Sequence, residues 1–238
     1  MANSPEAILT QKDLSRAKDL FQQQRDVQYR KMDKMFSVLL IAEWVAAILV
    51  AVFISPYSWA GKEKVLDIHL YLAIFMGGGI TLFPVLLAKF KPGWVGTRHV
   101  IAFSQMLWSA LLIHLTGGRI ETHFHIFVSL AFLAFYIDWP VLITATLVVV
   151  ADHLLRGALY PESVYGIVNP EWWRFLEHAF WVVFEDVVLV WSCLTGMKTM
   201  KENARRQVEV ETLSESNQLK TAALEMTLAE MQSSAKKA

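Results

Sequence analysis

The segment HLTGGRIETHFHIF, residues 114–127, sets His114, His123 and His125 beside Arg119 and Glu121 inside a chain dominated by long apolar runs. Neutral imidazole is the commonest protein ligand for zinc, copper and iron, and carboxylates act beside it as further ligands or as acceptors that fix the ring. The residue types therefore point to metal coordination. Spacing restricts how it could be arranged. On an α-helix Glu121 and His125 are i and i+4 and share a face, whereas His123 and His125 point in nearly opposite directions. Either Gly117 and Gly118 let TGGRIETH run partly extended, so that both rings reach one atom, or the two histidines serve neighbouring sites.

The elements that must position these groups follow from composition. With 238 residues, 55% of them hydrophobic and only 18% charged, the chain has the make-up of a membrane protein rather than of a soluble globule. A formal net charge of zero carries no nucleic-acid signature, so no nucleic-acid partner is expected. The single cysteine, Cys193, lies in an apolar run; it excludes an intrachain disulfide framework and disfavours a thiolate metal centre. Residues 1–35 are charged and lack the apolar core of a secretory signal, so the amino-terminal segment is expected to be retained. Apolar segments of roughly the ~20 residues needed to cross a bilayer occur at 36–55, 67–90, 99–117, 122–138, 140–159 and 174–197.

The expected fold is thus an all-α membrane protein. A six-transmembrane helix bundle over 36–197 follows an amphipathic cytoplasmic segment, 1–35, and precedes a cytoplasmic helical extension, 198–238. Only DWP separates the fourth and fifth spans, with Pro140 suited to the first turn of a new helix, which predicts a tight helical hairpin.

An even number of spans puts both termini on one side. That side collects Arg16, Lys18, Arg25, Arg30, Lys31, Lys34, Lys89, Lys91, Arg98, Lys198, Lys201, Arg205 and Arg206, against Lys62, Lys64, Arg119, Arg156 and Arg174 opposite. The bias places both termini in the cytoplasm, the chain crossing the membrane several times. Trp59, Trp172 and Trp173 then fall at the outer interface, and Trp94 and Trp139 at the inner one. On this topology His69, His114, His123, His125, His153 and His178 all lie near the outer face, with Asp67, Glu121, Asp152 and Glu177 beside them. His99 alone sits at an inner boundary and reads as an interfacial residue.

Ionisable groups within membrane helices are costly, usually face the bundle interior and point by default to function. The candidate metal ligands are the six outer histidines, with Glu121, Asp152 and Glu177 as further ligands or orienting groups. Copper, iron and zinc all suit this donor set, and haem is the alternative cofactor. A purely hydrogen-bonded polar cluster and a proton pathway are the competing readings. Glu43, Glu185 and Asp186 lie deep in apolar segments and must be protonated or paired, most simply to lock helices together. The triplet Gly77–Gly79, followed by Pro84, predicts close helix approach or a kink.

After Met197 the composition changes to helix formers without Gly or Pro over residues 201–232, with Val210, Leu213, Leu224, Leu228 and Met231 as an apolar stripe. Asn217 and Lys220 interrupt a strict heptad seam, and Asn at a core position is a device for fixing register in a parallel dimer. Residues 5–35 share this amphipathic character and are expected to pack against the extension.

The motifs LIHLTGGRIETHFHIFVSLAFLAFY, DHLLRG, SVYG and FLEHAFWVVFEDVVL resemble the amino-terminal multi-spanning sensory module that precedes histidine kinase, diguanylate cyclase or chemoreceptor outputs in bacteria. The resemblance covers residues 36–197 and implies that the outer histidines and acids belong to a signal-input site. Ile137 departs from it, standing before DW where that family carries an Arg, and no output part follows within the sequence. Two readings result: an input module of a longer chain, or a free-standing one acting through a partner.

The function expected is a transmembrane signal-input module, in contact with lipid and homodimeric, whose last span couples a metal or haem site to a cytoplasmic output domain or partner protein. The alternative is a membrane-embedded metal-dependent oxidoreductase or hydrolase, though clustered desaturase-type histidine boxes and a nucleophile beside the histidines are both lacking. Reporter fusions after Trp59 and after Ala238 are expected to report opposite sides of the membrane; the same side for both would dissolve the shared depth of the histidines.

Overall fold

The computed structural model describes residues 9–54, 57–60, 63–66 and 68–236, with only the backbone pairing given for the stretch 57–66. Asp67 and the side chains of Trp59, Lys62 and Lys64 lie outside the described residues. The elements are α1 (Gln11–Ile54), β1 (Tyr57–Ala60), β2 (Glu63–Leu66), α2 (Ile68–Tyr71), a π-helical turn (Leu72–Met76), α3 (Gly77–Phe90), α4 (Val95–Leu115), α5 (Ile120–Leu133), a 3-10 turn (Ala134–Tyr136), α6 (Trp139–Leu159), α7 (Glu162–Tyr165) and α8 (Arg174–Ala235).

The architecture is helical, as expected, with one correction. β1 and β2 pair antiparallel, Tyr57 opposite Leu66 and Ala60 opposite Glu63. Tyr57, Trp59 and Val65 are strand formers, and Gly61-Lys62 between the runs is a two-residue hairpin signal with Gly first.

Among the described residues four helices are long and apolar enough to cross a membrane: Gln11–Phe53, Ile68–Phe90, Trp139–Leu159 and Arg174–Ala235. Ile120–Tyr136 is apolar but shorter. The expected third span corresponds to α4, of spanning length but interrupted by buried Thr97, Arg98, Ser104, Gln105 and Ser109. It packs against α3, α5 and α6, and several of its polar groups find partners: Thr97 on Lys91 O, Arg98 on Asp138, and Gln105 on Glu43 and Ser129.

Within the unit Asp26–Met197, one apolar cluster gathers Phe36, Ile101, Leu130, Leu133, Tyr136 and Leu142. A second gathers Leu40, Ala47, Ala73, Ile80, Trp108 and Leu111. Glycine makes the second possible. A Cβ on Gly77 would stand 2.7 Å from the Trp108 ring, and one on Gly78 would stand 2.9 Å from Trp44, so two indoles lie directly on the helix backbone. Both indoles are tied down. Trp108 Nε1 donates to Thr81 Oγ1 at 3.0 Å, and Trp44 Nε1 donates to the carbonyls of Ala73 and Ile74 at 3.1 and 3.2 Å, within the π turn. Wider π geometry turns carbonyls out of the regular ladder, and the indole takes them up.

Asp33 organises the opposite end of this unit from His69 and His114. Its carboxylate accepts from Gly93 N at 2.6 Å and from the Tyr136 hydroxyl at 2.7 Å, joining α1 to the α3–α4 loop and to the turn after α5. Arg98 pairs with Asp138 and lies over the Tyr29 ring, 4.0 Å from its centroid. The expected tight hairpin is present. Ile137 adopts a left-handed conformation (φ 56°), unusual for a β-branched residue, and α6 begins with Pro140 in its first turn.

The second unit comprises residues up to Arg25 together with those from Lys198 onward. Within it Arg16 pairs with Glu211 at 2.7 Å, and Thr212 Oγ1 donates to Asp13 at 3.4 Å, so the amino-terminal helix does pack against the extension. Val210, Leu213, Leu224, Leu228 and Met231 are exposed.

The glycine seam separates two neighbouring substitutions. Gly77→Ala is expected to destabilise the protein by about 1–3 kcal/mol through overpacking against Trp108. Gly79→Ala meets nothing within 4 Å and is expected to be neutral or mildly stabilising, through better helix propensity. Thermal unfolding of the detergent-solubilised variants measures both.

Candidate functional site

α5, α6 and α8 each contribute one histidine to a common cavity of about 510 Å³, whose other lining residues include Phe127, Val149 and Trp181. Ring centroids lie 5.7 Å apart for His123 and His153, 5.3 Å for His123 and His178, and 5.9 Å for His153 and His178. His123 and His153 are each only 4% exposed. All three rings are oriented in the same way. Nδ1 meets the carbonyl oxygen one helical turn earlier: Arg119 O at 3.0 Å for His123, Val149 O at 3.1 Å for His153, and Arg174 O at 2.9 Å for His178. A carbonyl can only accept, so Nδ1 carries the proton in each ring and Nε2 keeps its lone pair. Among the described residues the buried Nε2 of His123 has no hydrogen-bond partner. Tyr165 closes one side, its ring centroid 5.5 Å from that of His178, and burial pushes its phenol above the usual range.

The loop before α5 is held by contact of backbone on backbone. Gly118 (φ 74°) lies so close to the chain after α7 that a Cβ there would be 2.3 Å from Gly166 N, which only glycine permits at both conformation and distance. This fixes Arg119 O, the acceptor for His123. TGGRIETH is consequently a turn followed by helix from Ile120 rather than an extended run, and His123 and His125 leave opposite faces of α5. His123 and His125 therefore face different surroundings, and the extended arrangement that would bring both rings to one atom is absent.

His125 belongs to a different network. Its Nε2 lies 3.2 Å from Glu43 Oε1, and its Nδ1 lies 2.8 Å from Ser109 Oγ. Gln105, fully buried, donates from Nε2 to Glu43 Oε1 at 2.6 Å and to Ser129 Oγ at 3.1 Å. Glu43 is therefore paired through Oε1, while its buried Oε2 has no hydrogen-bond partner among the described residues. With a carboxylate as acceptor, His125 carries its proton on Nε2, the reverse tautomer.

His69 and His114 form a third group, ring centroids 5.5 Å apart. His114 Nδ1 lies 2.8 Å from Ser163 Oγ, which also receives Arg156 NH1 at 2.8 Å. The guanidinium can only donate, so Ser163 Oγ accepts from Arg156 and still has a hydrogen and a lone pair to offer His114 Nδ1. Arg156 in turn grips Asp152 with two hydrogen bonds of 2.6 Å, and Asp152 Oδ2 stands 3.3 Å from His153 Nδ1.

The nine sequence-derived candidates thus fall into separate places. His123, His153 and His178 converge, with Glu177 on the cavity wall and Asp152 beside His153. His69 pairs with His114; His125 sits with Glu43. Glu121 is exposed and meets Arg119 at 3.5 Å. Among the described residues no group of three or more His, Cys, Asp or Glu donors is drawn together closely enough to hold a metal as placed. Elsewhere, Asp186 accepts from the Thr146 hydroxyl, and His99 Nδ1 meets Thr144 Oγ1 at 2.8 Å, half-buried. Gln105, Ser163 and Tyr165 join these clusters without having been singled out in the sequence. Nothing in their local spacing marks them, although SVYG contains two of the three.

Over 127 residues, 49% of its length, the chain is 31% identical to the transducer protein Htr8 of Halobacterium salinarum. It spans only 20% of that protein. No protein-family profile and no solved structure matches.

Removing the charge that Arg156 supplies to Asp152, whose side chain is 15% exposed, leaves a largely buried carboxylate unpaired. Arg156→Met is expected to destabilise by about 3–5 kcal/mol, with much of the loss recovered in the Arg156→Met/Asp152→Asn double variant. A double-mutant cycle on denaturation in micelles tests this.

Proposed function

We propose that the chain is a signal-input module spanning a bacterial cytoplasmic membrane six times. Both termini lie in the cytoplasm, a transition metal ion (copper, iron or zinc) or a haem is bound at the histidine-bearing outer end, and α8 carries the state of that end to a cytoplasmic output domain or partner. The observation that carries this reading is α8 itself: it bears His178 in its first turns and continues as helix to Ala235. The similarity to a transducer supports signal input as the class.

A membrane location is supported by the inverted distribution of polarity in the unit Asp26–Met197. Phe53, Phe75, Phe83, Leu147, Phe184 and Trp191 are exposed, while Asp33, Arg98, Gln105, His123, His153 and Asp186 are buried. A water-soluble globule buries its apolar groups first, whereas lipid demands that polar groups be satisfied internally. α4 and the shorter α5 complete the six spans in this reading, shielded by their neighbours. A homodimer would cover the exposed stripe of the extension from Val210 to Met231.

Insertion of four residues near Lys201 turns everything beyond it by about 40° relative to the preceding helix, at 3.6 residues per turn. In a chimera with a kinase output, such an insertion is expected to lock or invert the response to added metal while metal content is retained. A response that passes unchanged through the insertion would favour the membrane-embedded enzyme instead.

A further inference from the structure

Six histidines belong to the end of the bundle that the proposed input reading uses, and the hydrogen bonds of five of them fall into two chemical kinds. His114 and His125 spend a ring nitrogen on the side chains of Ser163 and Glu43. His123, His153 and His178 direct Nδ1 to backbone carbonyls one turn earlier, His153 with the Asp152 carboxylate also 3.3 Å away. Those carbonyl bonds are the outer-shell contacts that fix a metal-binding imidazole in the correct tautomer. They leave three Nε2 lone pairs bordering one cavity.

We infer that His123, His153 and His178 form a mononuclear site for one first-row transition-metal ion of the copper or zinc kind, bound through their three Nε2 atoms. This assignment rests on the input reading for its role but not for its chemistry. It narrows the donor set to three neutral imidazoles from three helices, and it excludes His69, His114 and His125 from the inner sphere.

Distances support it. With Nε2 at about 2.0–2.1 Å from an ion and the rings spread between tetrahedral and trigonal angles, centroids lie about 5.2–5.5 Å apart. The observed separations run from 5.3 to 5.9 Å. Centroid separation does not fix the directions of the Nε2 atoms, and among the described residues no three donors are close enough as placed to hold an ion. Binding therefore requires the rings to turn toward one point as well as α5, α6 and α8 to close, most of all at His153. Among the described residues the buried His123 Nε2 receives no hydrogen bond, although Trp181 and Tyr165 carry donors in its neighbourhood. The Thr146 hydroxyl is engaged with Asp186, and Glu177 can only accept when ionised. An electron-pair acceptor is what the His123 Nε2 lacks, and a metal ion supplies it.

Charge bears on the ion. Asp152, the nearest carboxylate to His153, is already matched by Arg156, so three neutral ligands leave the charge of the ion nearly uncompensated. The apolar cavity continues beyond the rings, with Phe127 and Trp181 among its walls, which leaves a fourth coordination position facing an apolar space. Three protein ligands and an open position are the arrangement of reactive or ligand-binding zinc sites rather than of closed structural ones.

The test uses the full chain in lipid nanodiscs, stripped with chelator and titrated separately with Zn2+ and with copper held cuprous by ascorbate. The expected result is one ion per chain for at least one of these metals, with X-ray absorption showing three imidazole nitrogens. His123→Ala, His153→Ala and His178→Ala are each expected to weaken binding by more than ~10-fold, and His99→Ala to leave it unchanged. Should an alanine variant fail to fold, the glutamine variant at the same position keeps side-chain bulk while losing imidazole, and the same loss is expected. Unchanged affinity in the three variants overturns the site, as does an equal loss in His114→Ala or no binding of either metal. Since the measurement needs no output, it separates failure of this centre from failure of the input reading, which the insertion experiment judges.

Discussion

A polar atom buried among helices is costly without a partner, and much of the organisation of the unit Asp26–Met197 follows from the partners that Asp33, Glu43 and Asp152 find. Asp33 takes a backbone N–H and a tyrosine hydroxyl from two other segments. Glu43 takes an amide and an imidazole from α4 and α5. Asp152 takes both arms of Arg156. Each arrangement ties together segments that apolar packing alone would leave free to slide, because a hydrophobic contact has no preferred register and a hydrogen bond does. Polarity within these helices is thus a means of alignment as well as a cost.

The same demand divides the histidines. An imidazole has one proton for two nitrogens, so the partner of one nitrogen decides the chemistry of the other. Carbonyl partners leave His123, His153 and His178 with an available lone pair on Nε2; His125 instead turns Nε2 to Glu43, and His114 spends Nδ1 on the Ser163 hydroxyl. α5 carries one residue of each kind on opposite faces, two positions apart. It therefore links the three-histidine cavity to the Glu43–Gln105 network through a single rigid element, and a displacement of His123 by bound metal would be felt at His125.

Close approach is the second means by which the helices are placed. Gly77 and Gly78 admit two indoles against the backbone of α3, and Gly118 and Gly166 admit one loop against another. In both places the glycine sets where a histidine stands: the first anchors α4, which ends at His114, and the second anchors the carbonyl that orients His123.

Much of this was legible in the sequence, because hydrophobic runs, Pro140 in a first turn, glycine pairs and the abrupt change after Met197 are local signals with local causes. Helical spacing also required that His123 and His125 diverge once the helix began before them. What the sequence left open was where the turn gave way to helix, and the contact between Gly118 and Gly166 settled that through residues almost fifty positions apart. It marked six histidines as alike, since residue type and depth were the same for all. Only the tertiary structure separated them. Which nitrogen is free depends on whether a carbonyl, a serine or a carboxylate lies within about 3 Å, and for His114 and His125 those partners arrive from other helices, at Ser163 and Glu43. The strand pairing of 57–66 was missed because a short loop between two apolar helices carries little weight beside them, and α4 escaped a simple hydropathy criterion because its polar residues are matched by neighbours that composition does not reveal.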